Sequence, residues 1–395
     1  MSLNKKILIV SSCQKRGDTA GLTGAFLSLF NDVRNKGCRV ELYNIGFFNQ
    51  NNNPNLYNVD QYWMYPRRKI EYLIRKIPGL RSFYAQEVVV AYFKKILRLH
   101  EYNLVVLYQV PHFSDKLISI SHSKNIKVMM YPWGSDILRV SNRKKQRLLK
   151  AFSETDYVMG NDKSNALIAA KEIYKVSESK IVKKKNYPSG IREIMQAIGR
   201  KKSRDEMMKD IGLPRSNYNI VCGYNAAKEQ RHHEIIDAVI MNKRYLPKDY
   251  LLVFPVSYSG SEEYINELRE KCANNGLNVF FIRDFISNEK MAYLHIVTDL
   301  FIQIQPTDCG SAFMMEALYA KNRIVTGKWL NYIQFEQFGT PYHLIDNVED
   351  LGEILKAIFA GELNMPIIPQ QLIDMYTIPQ GYRPGEVWEK VLLGV

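Results

Sequence analysis

The chain is 395 residues long, 46% hydrophobic and 24% charged, with a formal net charge of +14 at pH 7. It is too long for one ordinary hydrophobic core, and no apolar run approaches the roughly 18 residues that span a bilayer, so a soluble protein of two domains is expected. The charge asks for a polyanionic partner; with no basic helix-turn-helix, RNP-type or finger signature, nucleic acid is set aside in favour of phosphorylated substrates and anionic lipid headgroups.

The first apolar run, Ile7 to Val10, is interrupted by Ser11, Ser12 and Cys13 too soon for a secretory signal and reads as a buried strand. Gly17-Asp18-Thr19-Ala20-Gly21 follows, with small residues that let backbone come close to a ligand. It does not match G-x-G-x-x-G, so no dinucleotide cofactor is implied. Val40 to Tyr43 is the next strand. Between Tyr62 and His100 the cations Arg67, Arg68, Lys69, Arg75, Lys76, Arg81, Lys94, Lys95 and Arg98 interleave with aromatics such as Trp63, Tyr65, Tyr72 and Tyr92. Two readings are open there. One is peripheral contact with an anionic membrane, where each cation near the headgroups contributes roughly 1 kcal/mol; the other is a solvated basic helix whose aromatics face its own core.

Leu104 to Tyr108, Val128 to Tyr131 and Tyr157 to Gly160 are further strands separated by helical patterns, which implies a parallel, doubly wound sheet. Gln109 and His112 stand just past one strand end, and Trp133-Gly134-Ser135-Asp136 just past the next. Asp136 is placed to take a proton from an acceptor hydroxyl, or to cap the helix that follows. Both roles are open. The cysteines Cys13, Cys38, Cys222, Cys272 and Cys309 are odd in number, scattered and without ligand spacing, which suits a reducing cytoplasm and no metal site.

Tyr187-Pro188-Ser189-Gly190 is turn chemistry, and a charged helical stretch from Arg192 to Ile211 follows. The expected domains are therefore 1–190 and 191–377, with a Pro-containing tail, 378–395, that packs back on the first. The second half repeats the alternation, with strands at Ile220 to Cys222, Leu251 to Pro255, Val279 to Ile282, Leu300 to Ile304 and Arg323 to Thr326. After the first of these come Gly223, then Lys228, Arg231, His232 and His233 ahead of a helix from Glu234 to Ile240. Cations at a helix start add full charge to its partial positive end and suit a phosphate. After the fourth come Asp308, Gly310 and Ser311, then a helix from Ala312 to Ala320 that carries Glu316. Small residues at a strand's carboxyl end let helix-start amides approach phosphate oxygens. Alternatively, Asp308 caps the helix and Glu316 is solvated, and His233 is a cap or core contact.

Asp308-x7-Glu316, followed by Ala317-Leu318 and the strand from Arg323, resembles the E-x7-E element of family-four-like glycosyltransferases with the GT-B fold. Asp308 replaces the first Glu of that element, Cys309 stands where Gly is usual, and Lys321-Asn322-Arg323 stands for Gly-x-Pro. The Trp133-to-Asp136 turn and the tandem histidines resemble elements of the lipid-linked N-acetylfucosamine transferases of common antigen synthesis. The resemblance implies two Rossmann-like domains facing a cleft. It implies Gly223, Lys228, Arg231, His233, Gly310, Ser311 and Glu316 on the donor, Asp136 and Asp308 as catalytic, Asp308 at the donor sugar, and Gly17, Asp18, Gln109, His112 and Trp133 on the acceptor side. The function implied is transfer of a sugar from a nucleoside-diphosphate donor to a glycan, lipid-linked acceptor at the inner face of a bacterial membrane, without a cofactor. A two-lobed binding module and a sugar-nucleotide epimerase are the alternatives.

Overall fold

The computed structural model describes residues 4–11, 34, 37–45, 59–64, 80–161, 164–184, 189–308, 310–377, 379 and 386–393. Gly17, Asp18 and the cations Arg67, Arg68, Lys69, Arg75 and Lys76 lie outside the described residues. The chain divides into two compact units, Met1–Asn186 with Gly381–Val395, and Tyr187–Gln380.

The first unit runs β1 (Lys6–Ser11), β2 (Arg39–Asn44), β3 (Gln61–Met64), α1 (Leu80–Leu99), β4 (Leu104–Tyr108), α2 (Ser114–His122), β5 (Lys127–Tyr131), α3 (Ser135–Leu138), α4 (Asn142–Glu154), β6 (Tyr157–Asn161), α5 (Asn165–Glu172) and β7 (Ile181–Lys184). Its sheet has the order β3-β2-β1-β4-β5-β6-β7, with every pairing parallel. The central strands are buried on both faces, as their unbroken apolar runs require. The C-terminal helix Glu386–Leu393 belongs to this unit, and Trp388, fully buried, shares a core with Ile7, Ile9, Leu104, Val106 and Met129.

The second unit runs α6 (Ser189–Gly199), α7 (Arg204–Ile211), β8 (Tyr218–Cys222), α8 (His232–Met241), β9 (Tyr250–Pro255), α9 (Glu262–Asn274), β10 (Val279–Ile282), α10 (Asn288–Val297), β11 (Leu300–Gln303), α11 (Ala312–Tyr319), β12 (Arg323–Gly327), α12 (Ile333–Glu336), β13 (His343–Ile345), α13 (Leu351–Phe359) and α14 (Gln370–Tyr376). The sheet order is β10-β9-β8-β11-β12-β13, again parallel throughout. Side chains alternate across each strand. Ile220 and Cys222 therefore join the core under α8, α9 and α13, while Val221 joins the opposite core with α6, α7, α10 and α11.

The charged stretch after the boundary is two helices, where the sequence suggests one. Lys201 takes a left-handed φ of +53°, and Ser203 opens α7 with a capping box to Glu206, two local features that end one helix and start the next. The strands β3, β7 and β13, which the apolar pattern does not reveal, are all edges of their sheets. An edge strand needs less apolar surface, and sequences such as QYWM and IVKK show the consequence.

Trp388→Ala should destabilise the first unit by about 3–5 kcal/mol, the usual cost of emptying a large aromatic site. Urea denaturation followed by near-UV circular dichroism measures it. A loss below about 1 kcal/mol, well under that range, would show that the C-terminal helix is not part of this core.

Candidate active site

In both units the strand order reverses at the centre of the sheet, between β1 and β4 and between β8 and β11. Ligands of doubly wound sheets bind beyond the carboxyl ends of the strands that flank such a switch point. In the second unit this brings together the loop after β8, which carries Gly223 to Arg231, and the loop after β11, which carries Gln305 to Ser311.

Gly223 leaves β8 with φ +63° and donates its N–H to the Ile302 carbonyl at 3.0 Å, stitching the first loop to β11. A Cβ at this position would lie 2.8 Å from Gln230 Oε1 and 3.1 Å from His232 Nε2, so glycine is required by conformation and by space together. Buried Gln230 accepts the Tyr224 N–H at 3.3 Å and donates Nε2 to Gln305 Oε1 at 2.8 Å. Gln305 in turn accepts the Trp329 indole N–H on its carbonyl at 2.8 Å. The two loops are thus fastened by a buried amide–amide hydrogen bond, with two half-buried ones beside it.

Lys228 lies in a short 3-10 turn, exposed, with its ammonium 5.3 Å from the Tyr264 ring. Arg231 closes that turn at φ +58°, the strained left-handed region, and its guanidinium lies 5.6 Å from the Trp329 ring. His232 opens α8. It is fully buried, its Nδ1 3.2 Å from the Tyr264 hydroxyl, and its Nε2, directed at Gly223, has no hydrogen-bond partner. Burial, with His233 adding to it, lowers the His232 pKa to about 4. The ring is neutral at pH 7. His233 faces the other way, edge-on to Tyr264 and 3.8 Å from Glu267 on α9. Of the tandem pair it is therefore His232, and not His233, whose ring faces the loop after β8, following the left-handed turn at Arg231.

In the second loop, Asp308 Oδ2 accepts from Gln303 Nε2 at 2.9 Å, the Tyr332 hydroxyl at 2.7 Å and the Ser311 N–H at 3.0 Å. Burial, together with the Asp308 charge, pushes the pKa of both Tyr224 and Tyr332 up, so both stay protonated. Ser311 is the N-cap of α11, accepting the Met314 N–H at 3.2 Å, and Gly310 before it is left-handed at φ +82°. Asp308 braces the cap rather than forming it. Glu316 is not a solvated helix residue: only 7% exposed, it lies 3.1 Å from His295 Nε2.

In the first unit, Gln109 is left-handed at φ +61° and donates its N–H to the Tyr131 carbonyl at 3.2 Å, joining the ends of β4 and β5. Asp136 fastens the same two loops. Its Oδ2 accepts the Val110 N–H at 2.8 Å, its Oδ1 the Gly134 N–H at 2.7 Å, and both oxygens the Trp133 N–H. Burial raises its pKa, and the amide hydrogen bonds offset that only in part. A carboxylate so occupied ties the two loops together. Trp133 packs edge-on to Tyr108 with centroids 5.2 Å apart. His112 is half-buried, and burial, with Lys144 and Arg147 adding to it, lowers its pKa and favours the neutral imidazole a base needs.

No protein-family model matches the chain, and no curated protein matches it. Solved structures do. HepE of Anabaena, in complex with UDP and glucose, aligns over 99% of both chains at 16% identity with a TM-score of 0.61. WaaG, a glycosyltransferase involved in lipopolysaccharide biosynthesis, aligns over 98% of this chain and 100% of its own at 15% identity and a TM-score of 0.64. The chain has the GT-B fold. A UDP-GlcNAc 2-epimerase of Neisseria meningitidis bound to UDP-GlcNAc also aligns, over 98% of each chain, at 11% identity and a TM-score of 0.53. The GT-B fold by itself does not choose among these chemistries.

Sequence reasoning missed His232, His295, Gln230, Gln305 and Tyr332. The adjacent histidines were the one usable signal; a glutamine or an isolated helix histidine carries none until its neighbours are known.

Two measurements follow from this geometry. Above pH 6.5 His232 is neutral folded and unfolded; below it the unfolded chain takes up a proton that the folded chain refuses until about pH 4. Stability is therefore lost as pH falls, by about 2 kcal/mol between pH 6.5 and 5 from this residue. His232→Asn should flatten that part of the melting-temperature profile, and a profile unchanged in slope would show that the ring is not held neutral. At Asp136, asparagine must present an NH2 to an N–H donor, so Asp136→Asn should cost about 1–3 kcal/mol in chemical denaturation. Stability equal to the parent's would show that the carboxylate is not what ties the loops.

Proposed function

We propose that the protein transfers a sugar from a nucleoside-diphosphate donor to a glycan acceptor, with unit Tyr187–Gln380 holding the donor. The observation that carries this reading is the pair of locked loops at the β8–β11 switch point, where Lys228, Arg231, the unpartnered His232 Nε2 and the start of α11 all follow the carboxyl ends of the two central strands. A diphosphate is the ligand whose charge and reach suit two cations on one loop and a helix start on the next. The binding of UDP and glucose by HepE supports this choice.

Glu316 meets the ribose in this reading, and Gly310 and Ser311 border the phosphates. Asp308 organises the sugar end of the loop through Ser311 and Tyr332. Unit 1 takes the acceptor, with Gln109, His112 and Trp133 on its rim and Asp136 holding that rim together. His112, rather than Asp136, is the group suited to receive the acceptor's proton. Where transfer retains configuration, the donor phosphate performs that step instead. The role of WaaG in lipopolysaccharide biosynthesis supports a lipid-linked, envelope-type acceptor. Exposed Lys94, Lys95, Arg98 and Leu99 on α1 support peripheral contact with an anionic membrane from the cytoplasmic side.

Lys228→Ala with Arg231→Ala should raise the dissociation constant for the preferred nucleoside diphosphate at least about tenfold, since each charge-assisted hydrogen bond contributes roughly 1.5–3 kcal/mol. Calorimetry with UDP, GDP and dTDP identifies that nucleotide and measures the change, with CMP as the monophosphate control. Unchanged affinity would remove both residues from the donor site. Release of nucleotide from a sugar donor only when a glycan acceptor is added establishes transfer; conversion of the donor alone would establish the epimerase reading.

A further inference from the structure

Three helices of the second unit converge on one carboxylate. Glu316 lies on α11, His295 on α10 and Gly190 at the start of α6, and all three helices cover the same face of the sheet. His295 is 1% exposed, and its Nε2 stands 3.1 Å from Glu316 Oε2. That bond requires the proton on Nε2, since a carboxylate only accepts. Its Nδ1 is buried without a hydrogen-bond partner, so the ring serves Glu316 and nothing else on the polar side. Phe313 holds the ring in place, with centroids 4.3 Å apart, and reaches across to stack on Tyr224 of the neighbouring loop.

Gly190 supplies the second, independent observation. Its backbone is helical and needs no glycine for conformation, yet a Cβ there would fall on the Glu316 carboxylate. The reason for the missing side chain is thus Glu316 itself. Among the described residues, the buried carboxylate is held from one side by one donor, His295, and given room by a glycine on another.

We infer that His295 is a positioning residue, which through its Nε2–H, and with Gly190 leaving the space, sets the Glu316 carboxylate to receive the ribose hydroxyls of the donor nucleotide. This rests on the donor-site reading proposed above. A pair that only stabilised the fold would alter melting temperature without altering how the protein distinguishes one ribose from another. The positioning role predicts a specific loss: discrimination between a nucleoside diphosphate and its analogue without ribose hydroxyls.

The experiment is calorimetry on the full chain with UDP and GDP, and then with the 2′,3′-dideoxy analogue of whichever binds. The parent should prefer the ribonucleotide by about tenfold or more, as expected for hydroxyls bonded to a charged acceptor. His295→Leu should lower that preference below about threefold, which is roughly the most a displaced carboxylate with a weak residual bond would keep. His295→Gln, whose amide reaches where Nε2 was, should restore most of it, and Gly190→Ala should lose it as His295→Leu does. Adding His295→Leu to Glu316→Gln should change the preference no further. If His295→Leu does not fold, His295→Asn, too short to reach, takes its place. A parent that binds neither UDP nor GDP overturns this inference, and one that also fails to bind dTDP overturns the donor reading with it. A parent that discriminates alongside a folded His295→Leu or His295→Asn that discriminates equally overturns this inference alone, as does an effect of His295→Leu that persists in full without the Glu316 carboxylate.

Discussion

Everything at the candidate site depends on the parallel pairing of β8 with β11, two strands separated by about eighty residues of chain, as the Leu300-to-Ile220 register shows. A parallel sheet that grows outward in both directions from its first strand must leave one central pair whose following loops diverge to opposite faces. Here those loops begin at Gly223 and Gln305. The helix after the first, α8, covers one face, and the helix after the second, α11, covers the other. The notch between them is a product of topology before any side chain is chosen.

Side chains then make the notch rigid. The Gln230 amide bonded to the Gln305 amide, the Trp329 indole on the Gln305 carbonyl, and Tyr332 with Gln303 on Asp308 are hydrogen bonds between buried or half-buried groups. Each is worth only about 1 kcal/mol net, but breaking one strands a polar atom away from water at about 1–3 kcal/mol. That asymmetry makes such a network specify one arrangement more strongly than its summed strength suggests. The cations are held differently. Lys228 and Arg231 rest over aromatic rings, contacts of about 0.5–1 kcal/mol where exposed, weak enough to be exchanged for a charged ligand. A stiff frame of amides carrying loosely held charge is a sound arrangement for binding and releasing a diphosphate.

Asp136 and Asp308 share a logic that their chemistry conceals. Each stands just past a strand end, each is a carboxylate where a reaction would use one, and each accepts backbone N–H groups of its own loop. Glu316 and His232 are the reverse. One sits mid-helix and the other is half of a repeated residue, yet both are buried polar groups at the switch point, and His232 Nε2 is unmatched. Buried polar atoms without partners are uncommon enough to require a reason, and a ligand is one.

The alternation of apolar runs with helical patterns made the doubly wound class legible from residues alone, and the strands from Ile7, Leu104, Leu251 and Leu300 stand where hydrophobicity puts them, because a strand buried on both faces has no freedom to be polar. The edge strands β3, β7 and β13 were illegible because an edge is exempt from that rule, whereas β10, the fourth edge, was legible because its sequence VFFI is apolar throughout. Gly223, Gly310, Ser311 and Glu316 could be singled out by type and spacing, because turns, caps and strand-end loops obey local rules. Which histidine of the tandem pair faces the loop, what holds Glu316, and that Asp136 is occupied by three backbone amides were decided by tertiary structure alone. What holds Glu316 depends on contacts 21 and 126 positions apart, with His295 and with Gly190, and the bond from Val110 to Asp136 spans 26; no local pattern encodes a partner at that distance.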